Sequence, residues 1–349
     1  MNKKVLLVTT VAAVAMCSTS VFAAGEKVGV SMPTKDLQRW NQDGDNMQKE
    51  LEDAGYEVEL QYASNDPATQ LNQIKTMIGN GAEVLVIAAI EGDSLGEALD
   101  LAAENEIPVI AYDRLLMSSD AVSYYATFDN YMVGTVQGNY IVEALDLDNA
   151  DGPFNLEITA GDPGDNNAGY FYSGAMDVLQ PYIDEGKLVV PSGQTAFEEV
   201  ATPQWKTDTA QSRAENILSS YYADGTNVDV WLCSNDSTAL GVETALAANY
   251  SGEYPIITGQ DCDIENTKNM IAGKQSMSVF KDTRTLASQV VKMVGQILNE
   301  EEVDVNDTET YDNGVIVVPS YLCEPVFADA NNYKELLIDS GYYTEDQLQ

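Results

Sequence analysis

Two hydrophobic periods alternate along this chain. Val28–Met32 is a short apolar run. The segment after it carries Leu37, Trp40, Met47 and Leu51 on one helical stripe that Gly55 ends. Glu57–Gln61 reads as a second strand. Leu71, Ile74 and Ile78 mark a second helix, closed near Gly79 and Gly81. Val84–Ala89 is apolar without interruption, as a parallel strand covered on both faces requires. A helix over Ser94–Asn105 and a strand at Ile107–Tyr112 complete a βαβαβαβ unit, which implies a doubly wound domain with right-handed crossovers. A second round follows, with strands at Ser123–Thr127, Phe154–Thr159, Leu188–Pro191, Val228–Cys233 and Ile256–Gly259. Helices fall around 131–146, 167–184, 203–222 and 237–249. Helix 264–272, strand 276–281, helix 283–299 and a last strand at Gly314–Val318 precede an irregular tail. The expected fold is α/β: two doubly wound, Rossmann-like lobes with a ligand cleft between them.

The first residues break this pattern. Lys3 and Lys4 precede an apolar run, Val5 to Met16, and small residues continue to Ala24. With Val21-Phe22-Ala23 as the cleavage site, residues 1–23 are expected to be a signal peptide and the protein to be exported. A lipid anchor at Cys17 is the weaker alternative, because Met16 stands where a small residue is wanted. No later segment has about eighteen consecutive apolar residues, so a soluble mature form is expected.

Composition narrows the chemistry. The chain of 349 residues has 56 acidic and 17 basic side chains, a net charge of −39, and no histidine. Cleavage removes Lys3 and Lys4 and no acid. Such a field repels nucleic acid and anionic membranes. The lack of imidazole excludes Ser-His-Asp and Cys-His nucleophiles and His-ligated zinc. Neither a cofactor nor a metal is expected; Asp146–Gly152 misses the EF-hand pattern because Ala150 occupies a ligand position. The mature chain keeps Cys233, Cys262 and Cys323, an odd number. Free, partly buried thiols are expected, with a Cys233–Cys262 disulfide as the alternative.

In open α/β sheets the ligand sits beyond the carboxyl ends of the strands. The residues following the predicted strands are Lys35, Asp36 and Arg39, then Asn65 and Asp66, then Glu91, then Asp113 and Arg114. The second round supplies Asp162, Asp165, Asn166 and Asn167, then Trp205, Asn235 and Asp236, Asp261, and Lys281. Donors, acceptors and an aromatic face suit a neutral polyhydroxylated ligand, whose hydroxyls both give and take hydrogen bonds. Structural readings compete at several of these positions. Asp113-Arg114 also suits an ion pair, Asn166 and Asn235 suit helix N-caps, and Lys35 and Arg39 suit a solvated helix start. Trp205 also suits helix packing. Trp40 and Tyr342-Tyr343 are read as packing.

The same residues carry a family resemblance. The chain resembles the periplasmic-binding-protein type I sugar receptors of bacterial ABC transporters, in particular the multiple-monosaccharide and xylose-binding group. The matching segments are Pro33-Thr34-Lys35…Arg39-Trp40, VLVIAAIEG at 84–92, IPVIAYDRL at 107–115, YYATFDN at 124–130 and DNNA at 165–168. SNDSTA at 234–239, GQD at 259–261 and VFKDTR at 279–284 follow. YDNGVIVVPSYL at 311–322 and SGYYTEDQL at 340–348 fit the multiple-sugar branch. The resemblance implies two lobes, 24–127 plus 262–303 and 128–261 plus 304–349. It implies three hinge strands, near Ala126–Asp129, Asp261–Asp263 and Val303–Gly314. It further implies that Arg39, Asp113, Arg114, Asn235, Asp261 and Lys281 hydrogen-bond the sugar, with one or both of Asn166 and Asn167. Lys35 is a further carry-over, and Trp205 would stack on the ring. Glu198–Gln204 departs from the family pattern, since Gln204 stands where a basic residue often precedes the tryptophan.

The implied function is capture of aldopyranoses of the xylose, glucose, galactose and arabinose type by lobe closure, and delivery as a monomer to an ABC permease. Alternatives within the fold are a chemoreceptor or sensor-kinase partner, or another ligand such as inositol or a furanose. A glycosidase would need a general acid, and Arg114 and Lys281 beside Asp113 and Asp261 work against one. A transcriptional regulator would need a DNA-binding segment where the export signal stands.

Overall fold

The computed structural model describes residues 25–349, so the expected signal peptide and Cys17 lie outside the described residues. The first half follows the predicted alternation: β1 (Lys27–Met32), α1 (Gln38–Asp53), β2 (Glu57–Tyr62), α2 (Pro67–Gly79), β3 (Val84–Ile87), α3 (Gly96–Glu104), β4 (Val109–Tyr112) and β5 (Val122–Phe128). Next come α4 (Asn130–Ala144), β6 (Phe154–Thr159), α5 (Asn166–Asp184), β7 (Leu188–Val189), the single turn α6 (Phe197–Val200), α7 (Thr207–Tyr221), β8 (Val230–Cys233) and α8 (Asp236–Asn249). The chain ends with β9 (Ile256–Ile257), α9 (Ile264–Ile271), β10 (Met277–Phe280), α10 (Thr283–Leu298), β11 (Ser320–Cys323) and β12 (Val326–Asp329), followed by short helical turns.

The first sheet has the order β11-β5-β4-β3-β1-β2, with every pair parallel. Its central strands β3 and β4 are buried along their whole length, because helices cover both faces. On one face Trp40, Met47 and Leu51 of α1 pack with Leu286, Val290 and Met293 of α10. On the other, Ile74 and Met77 of α2 meet Leu95 and Leu99. The second sheet runs β7-β6-β8-β9, also parallel. A parallel bridge from Gln260 to Val279 joins it to β10, and β10 pairs antiparallel with β12. Here α4 and α5 approach backbone to backbone. A Cβ at Gly134 would lie 2.0 Å from the Phe171 carbonyl oxygen, and one at Gly174 would lie 2.1 Å from that of Tyr131. We call each sheet with its helices a lobe.

The strand pairing corrects the sequence-based division. Residues 264–280 were expected in the first lobe, but β10 belongs to the second sheet. The chain returns only at α10, whose apolar stripe faces α1. Residues 304–349 were expected in the second lobe, but β11 pairs with β5 in the first. The chain therefore passes between lobes after β5, between β10 and α10, and between β11 and β12. Gly314–Val318 is a loop rather than a strand, with Val315 and Val317 exposed. The Asn313 side chain holds it, accepting from the amides of Val315 and Ile316 and donating to the carbonyls of Leu116 and Ser119. The three described cysteines are free and buried.

Part of the acidic excess caps helices. Asp66, Asp129, Asp165 and Asp282 each accept a hydrogen bond from an amide in the first helical turn. Glu243 on α8 is different. It is buried, takes a hydrogen bond from Asn269 at one oxygen, and has no partner at the other among the described residues. Burial pushes its carboxyl up to about 8, against the pull of Lys274. The folded state therefore holds a proton that the unfolded chain gives up at about pH 4.3, and this contribution to stability is lost as pH rises towards 8. Glu243→Gln keeps the shape without the charge. Urea midpoints should converge below about pH 4, and the variant should gain steadily above it, by roughly 4 kcal/mol at pH 8.

Candidate functional site

One cavity opens between the carboxyl ends of the two sheets, narrowed to about 40 Å³ of free volume by the side chains that meet across it. The first lobe lines it with Leu37 just before α1, Arg39 and Trp40 on α1, and Asp113 and Arg114 from the turn after β4. The second lobe contributes Asp165, Asn167 and Phe171 around the start of α5, then Trp205, Asn235 and Ser237. Gln260, Asp261, Asp263 and Lys281 complete the lining.

Arg39 sits at the centre of its charge. Its Nε donates to Asp43 at 2.9 Å, one Nη donates to Asp261 at 2.9 Å, and the other donates to Asp113. Asp43 lies one turn along α1, whereas Asp261 comes from the other lobe. The Arg39–Asp261 bond therefore spans the cleft. Lys281 Nζ lies 3.0 Å from the same Asp261 oxygen. Burial alone would raise the Asp261 pKa, but Lys281 and Arg39 outweigh it and hold this carboxyl below its ordinary value. Asp43 behaves oppositely: burial raises it despite Arg39, and Tyr112 donates its hydroxyl to it.

Arg114 donates to the carbonyls of Ala89 and Ile90 at 3.0 and 3.2 Å. Its Nε lies 3.0 Å from an Asp165 oxygen, yet that buried N–H has no aligned acceptor among the described residues. Asp165 also accepts from Trp205 Nε1 at 3.2 Å and caps α5. Two buried acceptors in the lining, Gln260 Oε1 and Asp263 Oδ1, likewise have no partner among the described residues. A wall with unpartnered donors and acceptors suits a ligand that offers both.

The aromatic faces need special backbone. Gln204 and Trp205 both have a left-handed φ of 56°. A Cβ at Gly161 would come within 1.9 Å of the Trp205 ring, so only glycine leaves the indole room there. Phe171 meets Trp205 edge-on at 6.2 Å between centroids. On the other side the Arg114 guanidinium lies 4.9 Å from the Trp40 ring centroid. Asp113 and Asp261 are left-handed too, with φ of 59° and 98°. Side chains other than glycine hold such conformations where their surroundings fix them.

Eight of the ten residues expected from sequence line this cavity: Arg39, Asp113, Arg114, Asn167, Trp205, Asn235, Asp261 and Lys281. Lys35 lies apart, over the Tyr62 ring at 4.6 Å. Asn166 is the first residue of α5 and is not part of the lining; its neighbour Asp165 is the cap. Asn235 combines both readings, capping α8 through Thr238 and lining the cavity. Trp40 is core and lining at once. Phe171, Ser237, Gln260 and Asp263 were missed. Gln260 stands in the GQD segment and Ser237 in SNDSTA, whereas Phe171 gave no signal beyond its place in the helix expected around 167–184.

Residues 28–302 match the periplasmic binding protein domain family. This chain is a periplasmic binding protein. It is 48% identical to the multiple sugar-binding periplasmic receptor ChvE of Rhizobium radiobacter, over 99% of this chain and 100% of the relative. It is 32% identical to the D-xylose-binding periplasmic protein of Escherichia coli, over the full length of both. Among solved structures, an ABC transporter solute-binding protein from Clostridium phytofermentans with bound β-D-glucose superposes with a TM-score of 0.92. The two are 72% identical, and the match covers 93% of this periplasmic binding protein and 100% of the other chain. In the described residues no helix is long and apolar enough to cross a membrane.

Arg39→Met should destabilise the sugar-free protein, because it strands buried carboxylates at Asp43 and Asp113. The expected loss is about 3 kcal/mol at pH 7 by urea denaturation. It should shrink as pH falls, because the Asp43 carboxyl, already raised by burial, takes up a proton more readily once Arg39 is gone.

Proposed function

We propose that this chain is an extracytoplasmic receptor that captures aldopyranose monosaccharides between its lobes and delivers them to an ABC permease. The observation that carries this reading is the cavity wall itself. Charged and polar donors and acceptors, several of them without a partner among the described residues, surround buried indole faces in a cleft lined from both lobes. The multiple-sugar and D-xylose receptors among its relatives, and the glucose bound in the 72% identical structure, support it. In this reading Arg39, Asp113, Arg114, Asn167, Asn235, Asp261 and Lys281 hydrogen-bond the ring hydroxyls, and Trp205 packs on its C–H face. Lys35 and Asn166 do not touch it.

Closure is the working event. Sugar contacts on both sides of the cleft favour the closed state, and the three passages between lobes, near 128–130, 281–283 and 323–326, act as hinges. A monomer suffices, and no bond in the sugar is broken. The carboxylate of Asp261, held ionised by Lys281 and Arg39, is an acceptor and a poor general acid. Residues 1–23 direct export.

Calorimetric titration of residues 24–349 with glucose, galactose, xylose, arabinose and ribose tests this reading. Micromolar binding of several aldopyranoses is expected, and Trp205→Ala should weaken it by about a hundredfold, or ~2.7 kcal/mol. No heat with any of these sugars would sink the proposal.

A further inference from the structure

The tail segment SGYYTEDQL at 340–348 touches both lobes. Tyr343 is buried in a cluster with Cys262, Met270, Phe280, Leu337 and Leu348, all within the second lobe or the tail. Its hydroxyl, however, crosses to the first lobe. It accepts from Gln38 Nε2 at 2.8 Å and from Gln42 Nε2 at 3.0 Å, and it donates to the Cys262 carbonyl at 2.9 Å. One phenol thus uses its donor and both lone pairs in binding two lobes together. Gln38 also reaches across, accepting from the Ile264 amide at 3.1 Å. Beside it Tyr342 bonds Gln42 and Thr283 through its own hydroxyl.

The positions of these anchors matter. Gln38 immediately precedes Arg39, and Cys262 immediately follows Asp261. These are the two residues whose side chains meet across the cavity. Asp261 and Cys262 both have left-handed backbone, with φ of 98° and 52°. Two consecutive strained residues persist only when neighbours fix them. Ser278 Oγ accepts from the Cys262 amide, and Tyr343 holds its carbonyl.

We propose that Tyr343 is a positioning residue for ligand binding: the tail clasps α1 to the Asp261–Cys262 kink, aligns Arg39 with Asp261, and slows ligand release without touching the ligand. This rests on the sugar-receptor reading above. It assigns to the last ten residues of the chain a share in affinity that the cavity lining alone does not show.

Tyr343→Phe tests it. The ring keeps its apolar neighbours, and the Cys262 carbonyl still accepts from Thr267 Oγ1, so the fold is expected to hold. Glucose affinity should fall about tenfold, carried by faster release in stopped-flow tryptophan fluorescence, with the thermal midpoint of the sugar-free protein unchanged. Gln38→Leu should act the same way, and the double variant should lose little more than the larger single effect. Wild-type release from Tyr343→Phe would overturn the proposal, as would a loss of affinity matched by an equal loss of sugar-free stability. If the wild type binds no monosaccharide, the sugar-receptor reading is what fails. The clasp is then read by small-angle scattering of the sugar-free proteins: a more open Tyr343→Phe supports it, and identical curves overturn it.

Discussion

The structure depends on how one buried guanidinium is shared. Arg39 holds Asp43 on its own helix, Asp113 at the end of a neighbouring strand and Asp261 on the opposite lobe. Each carboxylate alone would be costly at this depth, and together they would repel. Arg39, helped at Asp261 by Lys281, makes the set tolerable and fixes its geometry. The side chains that would meet a sugar are therefore already placed by one another. That is preorganisation, and it lowers the ordering cost of binding.

The fold supplies this arrangement through strand ends. Asp113 follows β4, Asp165 and Asn167 follow β6, Asn235 follows β8, Asp261 follows β9 and Lys281 follows β10. Parallel strands aim all these ends at the cleft, so residues far apart in sequence meet there. Several helices begin in the same place, and their first amides are met by Asp and Asn caps. Capping and ligand lining thus draw on the same residue types, and Asn235 serves in both.

This convergence explains what was legible in the sequence. Uninterrupted runs such as Val84–Ala89 marked buried parallel strands, and polar residues just beyond them marked most of the cavity lining. Lobe membership was less legible, because it depends on which sheet a strand joins. The sequence around β10 carries no sign that Val279 bridges to Gln260. Val315 and Val317 misled for a related reason: an apolar run can lie on the surface when an asparagine, here Asn313, ties its backbone down. Phe171 and Asp263 reach the cavity by tertiary placement alone.

Both lobes are discontinuous, and this has a consequence for how the molecule is made. A chain that emerges amino end first shows β5 long before β11, the strand that flanks it at the sheet edge. The second lobe likewise waits for β12 to cover β10. Neither half is complete until almost the whole polypeptide is out. Synthesis or translocation interrupted before the last thirty or so residues yields two unfinished sheets with open edges, ready substrates for proteolysis rather than a weakened receptor.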